Sequence, residues 1–212
     1  MKENYVYKTI ETYDNIAQQY FDDFFDNKKD EKFVNNFVAY LPKNAKVLDA
    51  GCGCGNFSQY LAKLGHTVLG IDLSEKMINL AQKNVINCEF EIGDIRKINE
   101  PSNKYDAILA SRSIIHIAKC DIDSVFQEFL RILKPNGILG LLLPVYKNSS
   151  EGFEKEVYNP QLDIFYHYYS LKEITTLITK YNFKIIQKHI EEQIDIDSGK
   201  KVKRLHLFAV KC

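Results

Sequence analysis

The sequence predicts an α/β protein with a doubly wound sheet, mostly parallel and extended by a C-terminal antiparallel hairpin. Short apolar segments alternate with segments of helical periodicity between residues 46 and 143. The last of these apolar segments, Ile138–Leu143, is almost free of polar residues, as expected for a strand covered on both faces. Two further strand-like segments near the C-terminus flank a turn signal. Together these segments make seven predicted strands.

The N-terminal region is predicted to be helical. Apolar residues at helical spacing indicate one helix over Glu11–Phe25 and a second from Asp30 to about Tyr40. The second helix should end at Leu41–Pro42, because proline disfavours helical continuation. Residues 1–41 lie outside the alternating pattern, so we expect them to form a helical lid.

The alternating region contributes five strands and three helices. Ser74 is a suitable N-cap for the middle helix, because its hydroxyl can accept a free N–H of the first turn. The strands are predicted at Lys46–Ala50, Thr67–Ile71, Cys88–Ile92, Tyr105–Ser111 and Ile138–Leu143, and the helices at Asn56–Leu64 (closed by Gly65), Glu75–Asn84 and Val125–Leu133 (ended by Lys134–Gly137).

The C-terminal third departs from this alternation. Residues 144–169 have no strong periodicity, and loops of that length are usually functional, so we interpret them as a substrate-lid insertion. A helix is predicted over Ser170–Tyr181. Strands over Lys184–Glu192 and Arg204–Cys212 should form a hairpin through the turn signal Asp197–Lys201. We expect residues 1–212 to be one domain, present as a monomer or a homodimer.

Composition restricts the partners. The chain has 212 residues and a formal net charge of zero, which argues against a broad basic surface for nucleic acid. No stretch is apolar enough for a leader or a membrane span, so we expect a cytoplasmic protein that does not bind membranes. Five cysteines without a ligand spacing predict neither disulfides nor a metal site.

A glycine loop follows the first strand. The run Gly51-Cys-Gly-Cys-Gly55 allows a tight turn and close approach of a ligand to the backbone. A dinucleotide fingerprint would need a glycine where Asn56 stands, so a nicotinamide oxidoreductase is disfavoured. Acidic residues end the next two strands: Asp72, placed to accept ribose hydroxyls, and Asp94.

These segments together carry a family resemblance. With the N-terminal pattern Tyr13-Asp-x-x-Ala-x-x-Tyr20, they resemble the class I S-adenosylmethionine-dependent methyltransferases, in the small-molecule, type 11/25-like branch. The resemblance covers roughly residues 10–190 and implies a Rossmann-like sheet, S-adenosyl-L-methionine as cofactor and a small-molecule methyl acceptor. The other motifs that carry it are Val47–Gly55, Gly70–Met77, Gly93–Ile95, Tyr105–Ser111 and Leu130–Gly137.

The resemblance implies a role for each matching position. The loop residues Gly51, Cys52 and Gly53 would face the methionine moiety of the cofactor. Asp49 would orient the loop or contact the amino group, and Asp72 would bind the ribose. The remaining implied contacts are Leu73 and Met77 beside the adenine, Asp94 and the Ile95 N–H on its polar edge, Ser111 near the sulfonium and Tyr20 near the carboxylate.

Each assignment has a structural alternative. Asp49 would then cap the following helix, and Met77 would belong to the helix core. Asp94 would be a turn residue, while Tyr13 and Tyr20 would pack against the core.

Two histidines are candidates for proton transfer, which is needed only if the acceptor must lose a proton. His116 follows the fourth strand and matches a histidine common in this branch; alternatively it is bonded within its loop and idle. His167, in Phe165–Tyr169, is the second candidate, and its aromatic neighbours would otherwise form an apolar wall.

The absence of two motifs narrows the class of methyl acceptor. No Asn/Asp-Pro-Pro-Tyr and no Pro-Cys follows the fourth strand, so the sequence favours a small, apolar or aromatic metabolite. The alternatives are an RNA or protein methyltransferase of the same fold, or a catalytically silent cofactor-binding module. The sequence does not identify the acceptor.

Overall fold

A single seven-stranded sheet organises the structure, a computed structural model that describes residues 2–194 and 201–212. Its strand order is β3-β2-β1-β4-β5-β9-β8. The first five strands in this order are parallel, and β9 and β8 run antiparallel to their neighbours. This confirms the predicted fold class. The strands are β1 Lys46–Ala50, β2 Thr67–Asp72, β3 Glu89–Ile92, β4 Tyr105–Ser111, β5 Leu133–Val145, β8 Phe183–Ile194 and β9 Lys201–Lys211.

Six α-helices accompany the strands in the described residues. Because successive side chains of a strand point to opposite faces, Val47 and Leu48 of β1 belong to different cores. Phe33 and Phe37 pack in the core that contains Val47, and Phe126 packs in the core that contains Leu48. The sheet is therefore covered on both faces. The helices are α1 Lys2–Phe24, α2 Glu31–Val38, α3 Asn56–Lys63, α4 Glu75–Asn84, α5 Ile122–Ile132 and α6 Leu171–Lys180.

Three regions differ from the sequence prediction. Strand β5 begins at Leu133, so the segment Lys134–Gly137, predicted to separate helix from strand, lies within it. Helix α1 begins at Lys2 and not at Glu11. The segment 144–169, predicted to lack regular structure, contains an antiparallel pair, β6 Ser150–Lys155 and β7 Asp163–Tyr168. Their period-two pattern is weak because β6 is mainly polar and exposed, while β7 carries large side chains on both faces. Of the predicted turn Asp197–Lys201, residues 197–200 lie outside the described residues, and Lys201 begins β9.

The two predicted lid segments, residues 1–41 and 144–169, meet over the carboxyl ends of the parallel strands. Helix α1 contacts β7 through Lys8, whose ammonium lies 2.8 Å from the Asp163 carboxylate. At its middle, α1 is tied to the start of α4, where the hydroxyl of Ser74 donates to Asp14 at 2.6 Å. The chain leaves the sheet centre in opposite directions from β1 and β4, so the crevice beneath α1 lies at the switch point of the strand order, where open α/β sheets bind ligands. None of the described helices is long and apolar enough to cross a membrane.

Candidate active site

The glycine loop between β1 and α3 forms the floor of the crevice. Gly51, Gly53 and Gly55 all have positive φ, at 78°, 53° and 84°. The N–H groups of Gly51 and Cys52 both donate to the Ile71 carbonyl, at 2.8 and 2.9 Å, which fixes the loop against the end of β2. A Cβ on Gly51 would lie 2.3 Å from Cβ of Ser113, whereas one on Gly53 would meet nothing within 4 Å. Close packing therefore requires glycine at position 51, and position 53 leaves open space for a ligand.

Gly51→Ala is expected to lower the free energy of unfolding by about 2 kcal/mol or more, from left-handed backbone strain and the clash with Ser113. The double variant Gly51→Ala/Ser113→Gly should be more stable than Gly51→Ala alone, because it removes the clashing atoms. Urea unfolding of the four species measures this coupling. Equal stability of the single and double variants would show that the clash is absorbed elsewhere.

Asp72, at the end of β2, faces the crevice beside this loop. One carboxylate oxygen accepts the N–H of Gly53 at 3.0 Å, and the other accepts the N–H of Ser74 at 2.9 Å. Burial raises the pKa of Asp72, although these backbone donors favour its charged form. The carboxylate thus joins the loop to the start of α4 and is part of the crevice lining.

Asp49 lies behind the loop and not in the crevice lining. Its carboxylate accepts the Ser58 hydroxyl at 2.7 Å, and burial raises its pKa to about 7. This contact connects β1 to α3, as expected for a residue that orients the loop or caps the following helix. The structure gives no direct path from Asp49 to a ligand in the crevice.

Two other predicted site residues are also engaged away from the crevice lining. The side chain of Cys52 packs with Phe90 beneath the loop, so only its neighbours Gly51 and Gly53 face the crevice. The Asp94 carboxylate is bonded by the Arg96 guanidinium, with its shortest contact at 2.6 Å. This ion pair occupies both carboxylate oxygens of Asp94, which does not line the crevice. Its neighbour Ile95 does line the crevice.

The crevice is a cavity of about 630 Å³, within the usual range for small-molecule sites. It brings together residues from both halves of the sheet, from α1 and from the β6–β7 pair. The predicted site residues that line it are Tyr20, Gly51, Gly53, Asp72, Leu73, Met77, Ile95, Ser111, His116 and His167.

His116, in a short 3-10 turn after β4, is bonded at both ring nitrogens. Its Nδ1 lies 2.8 Å from the Phe165 carbonyl, which can only accept, so Nδ1 carries the proton. Its Nε2, 2.8 Å from the Tyr13 hydroxyl, then accepts from that hydroxyl. Burial lowers the pKa of His116 to about 4. His116 is therefore neutral near pH 7 and aligns Tyr13 over the cavity.

His167, the second candidate, is a residue of β7, and its side chain lies on the opposite face of that strand from Tyr166. Its ring stacks on Tyr169 with centroids 3.9 Å apart. Its Nδ1 lies 3.3 Å from the Ile117 carbonyl, and its Nε2 lies 3.3 Å from the Glu173 carboxylate. Because both nitrogens have structural partners, this geometry favours a packing role over proton transfer.

An aromatic wall lies beside His116; two of its tyrosines belong to the segment Phe165–Tyr169, for which the sequence suggested a wall, and Tyr146 was not predicted. Ring centroids are 5.0 Å apart for His116 and Tyr166, 5.8 Å for Tyr166 and Tyr168, and 4.9 Å for Tyr168 and Tyr146. The spacing of Tyr166 and Tyr168 by two residues was the available signal, since alternate residues of a strand share a face. We call these three tyrosines the tyrosine wall.

The cavity also contains an ion-paired group that was not predicted from the sequence. Asp30 is buried between Arg112 and Arg204. Burial alone would raise the pKa of Asp30, but the two guanidinium charges outweigh it and hold the pKa below its usual value. These residues come from three distant segments, so no local motif brings them together.

The residues present fit S-adenosylmethionine. Within the described part of the chain, the hydroxyls of Ser111 and Ser113 are buried without a hydrogen-bond partner beside the glycine loop. Those two orphaned groups, the acidic Asp72 and the open space over Gly53 suit a ligand that carries both polar and ribose groups. Across the described residues, no cluster of three potential metal ligands occurs.

Comparisons with known proteins agree with this geometry. Residues 47–137 match the family described as "Methyltransferase domain". The phosphoethanolamine N-methyltransferase of Plasmodium falciparum (isolate 3D7) is 29% identical over 157 residues, which are 72% of this chain and 59% of that protein. The ubiquinone biosynthesis O-methyltransferase of Pelagibacter ubique (strain HTCC1062) is 36% identical over 101 residues, 46% of this chain and 41% of that protein.

A solved structure extends the similarity to the whole fold. The 1,6-didemethyltoxoflavin-N1-methyltransferase of Burkholderia thailandensis, solved with its substrate and S-adenosylhomocysteine, has a TM-score of 0.79 at 18% identity. The match covers 100% of this chain and 90% of that one. By contrast, the chain spans about half the length, or less, of the curated relatives it matches.

Proposed function

We propose that the chain is a class I S-adenosylmethionine-dependent methyltransferase that transfers a methyl group to a small-molecule acceptor; the match of residues 47–137 to the methyltransferase family supports this. The observation that carries this proposal is the cavity itself. The glycine loop and Asp72 line one part of it, the Tyr13–His116 pair and the tyrosine wall line another, and α1 and the β6–β7 pair cover both.

The cofactor is S-adenosylmethionine, which supplies a methyl group already activated on a sulfonium. In our proposal Asp72 accepts the ribose hydroxyls, and Leu73 and Met77 flank the adenine. The backbone of Gly51, Gly53 and Ser111 lies along the methionine moiety, and Tyr20 is within reach of its carboxylate. The buried hydroxyls of Ser111 and Ser113 gain partners when the cavity is filled.

The remaining task of the protein is to hold the acceptor in line with the methyl group and to exclude water. Orientation of this kind can lower the activation free energy by on the order of 7–11 kcal/mol. Tyr13 is placed for it, because its hydroxyl faces the cavity and is fixed by His116 at 2.8 Å. Burial is the main cause that raises the pKa of Tyr13, so its hydroxyl stays protonated and acts as a hydrogen-bond donor.

Coverage of the cavity supports a small acceptor over a macromolecular one. The β6–β7 pair and its connection are joined to α1 at two points, through Asp163 with Lys8 and through Tyr158 with Asp23 at 2.6 Å. A nucleic acid would also require positive surface charge, and the formal net charge is zero. The named activities of the relatives, on phosphoethanolamine and on didemethyltoxoflavin, are consistent with this class of acceptor.

Methyl-labelled S-adenosylmethionine tests the proposal. The protein is incubated with three separate fractions of a cell extract: the small-molecule filtrate, total RNA and total protein. We expect enzyme-dependent label in the filtrate alone. Label in RNA or protein would replace the proposal by a macromolecular methyltransferase, and binding of S-adenosylhomocysteine without any transfer would indicate a silent module.

A further inference from the structure

Glu156, just after β6, carries a buried carboxylate. The residue is 7% exposed and lines the cavity. Within the described residues, the one hydrogen bond to its carboxylate comes from the N–H of Tyr158, at 3.3 Å. No lysine, arginine or histidine of residues 2–194 and 201–212 forms an ion pair with it. Its negative charge also acts on the neighbouring Tyr13 hydroxyl.

The basic residues of the cavity are committed elsewhere or lie at its margin. Arg96 pairs with Asp94 and Asp121, and Lys155 pairs with Asp163. Arg112 and Arg204 share Asp30. The other two, Lys29 and Lys201, are exposed to solvent. Glu156 is therefore a buried carboxylate of the cavity that has no ion-pair partner among the described residues.

Burial of a carboxylate without an ion-pair partner costs desolvation free energy. A ligand that supplies positive charge or N–H donors is therefore favoured beside it. The tyrosine wall adds a second, independent preference. Its three rings contact one another in turn beside His116, and aromatic faces attract cations within about 6 Å. The neutral His116 adds no competing positive charge.

We infer that the methyl acceptor is an amine, whose nitrogen lies between Glu156 and the tyrosine wall; this inference rests on the proposed function. The amine reacts as its neutral free base, after its proton has gone to solvent. The nitrogen lone pair forms the bond to the methyl carbon as the carbon–sulfur bond breaks, and sulfur keeps that electron pair. The product is an ammonium ion, whose positive charge lies beside the Glu156 carboxylate.

The chemistry of the site favours nitrogen over oxygen. An amine carries its own lone pair once deprotonated, whereas an alcohol needs a stronger base to become a nucleophile. His116 does not serve as that base, because its Nε2 already accepts from Tyr13. Glu156 is in our inference the residue that selects the acceptor.

The test begins with the atom that receives the methyl group. The protein is incubated with trideuteromethyl-labelled S-adenosylmethionine and the small-molecule filtrate, and the product is identified by mass spectrometry and NMR. We expect the label on nitrogen. Label on oxygen or carbon overturns the amine inference and leaves the proposed function intact, whereas absence of any labelled small molecule contradicts the proposed function.

The second arm compares Glu156→Gln with Glu11→Gln, which removes the same charge at an exposed position of α1. For the acceptor identified above, we expect Glu156→Gln to raise KM by about tenfold or more, and Glu11→Gln to leave it unchanged. Calorimetric affinity for S-adenosylhomocysteine should stay within about twofold in both variants, which also shows that they fold. An unchanged KM in Glu156→Gln, or an equal loss of S-adenosylhomocysteine affinity, overturns the inference.

Discussion

Replacing Asp72 by alanine is expected to weaken S-adenosylhomocysteine binding by about a hundredfold or more. Hydrogen bonds to a charged group contribute about 1.5–3 kcal/mol each, and two ribose hydroxyls depend on this carboxylate in our proposal. The substitution also leaves the N–H groups of Gly53 and Ser74 without their acceptor. Isothermal titration calorimetry measures the affinity, and thermal unfolding of the free protein measures the cost to the fold.

Two further variants separate the possible causes of that loss. Asp72→Asn keeps one acceptor oxygen and the shape of the side chain, so its affinity should lie between those of the wild type and Asp72→Ala. Glu75→Ala removes an exposed carboxylate at the start of α4, and this variant should bind S-adenosylhomocysteine like the wild type. Wild-type affinity in Asp72→Ala would place the ribose elsewhere in the cavity.

The central part of the fold was predictable because its signals are local. Strand β5 is covered on both faces, so its apolar run is visible without any knowledge of its neighbours. The hydroxyl of Ser74 accepts the N–H of Met77 at 3.1 Å, as its N-cap position predicted. The β6–β7 pair was missed because its strands are defined by pairing with each other and with α1, not by a periodic apolar pattern.

Within the site, too, the residues with local sequence signals were predictable and the others were not. Asp72 and the glycine loop follow directly from strand ends and turn chemistry, and the structure brings them together. The positions of Asp94 and Cys52 depend on contacts that no local pattern predicts. Asp94 is bonded to Arg96, and Cys52 packs against Phe90. Glu156 and the tyrosine wall belong to the lid, where the sequence pattern was weakest. The residues that choose an acceptor are therefore the least predictable from sequence.

The Tyr13–His116 pair should have the largest effect on turnover. We expect His116→Ala to lower kcat by roughly a hundredfold or more, while affinity for S-adenosylhomocysteine stays near that of the wild type. Without the imidazole, the Tyr13 hydroxyl loses the acceptor that holds it at 2.8 Å. The small-molecule acceptor identified by labelling serves as the substrate, and His66→Ala, outside the cavity, is the control for loss of a histidine.

The pair acts as a unit if His116 works through Tyr13. Tyr13→Phe should then cost about as much as His116→Ala, and the double variant should cost little more than either single change. Additive losses would mean that His116 meets the substrate independently of Tyr13, and wild-type turnover in His116→Ala would leave the histidine with a structural role alone.

The pH profile distinguishes this arrangement from a histidine that titrates near neutrality. Burial lowers the pKa of His116 to about 4, below the ordinary histidine value of 6.5. A lowered pKa means that the neutral imidazole, the form able to accept from Tyr13, persists as the pH falls through 6.5 and is lost only near pH 4. The wild type should therefore show no inflection in kcat/KM near pH 6.5 that His116→Ala removes. Such an inflection would show that His116 titrates near neutrality in the working enzyme and would contradict the buried, neutral histidine described above.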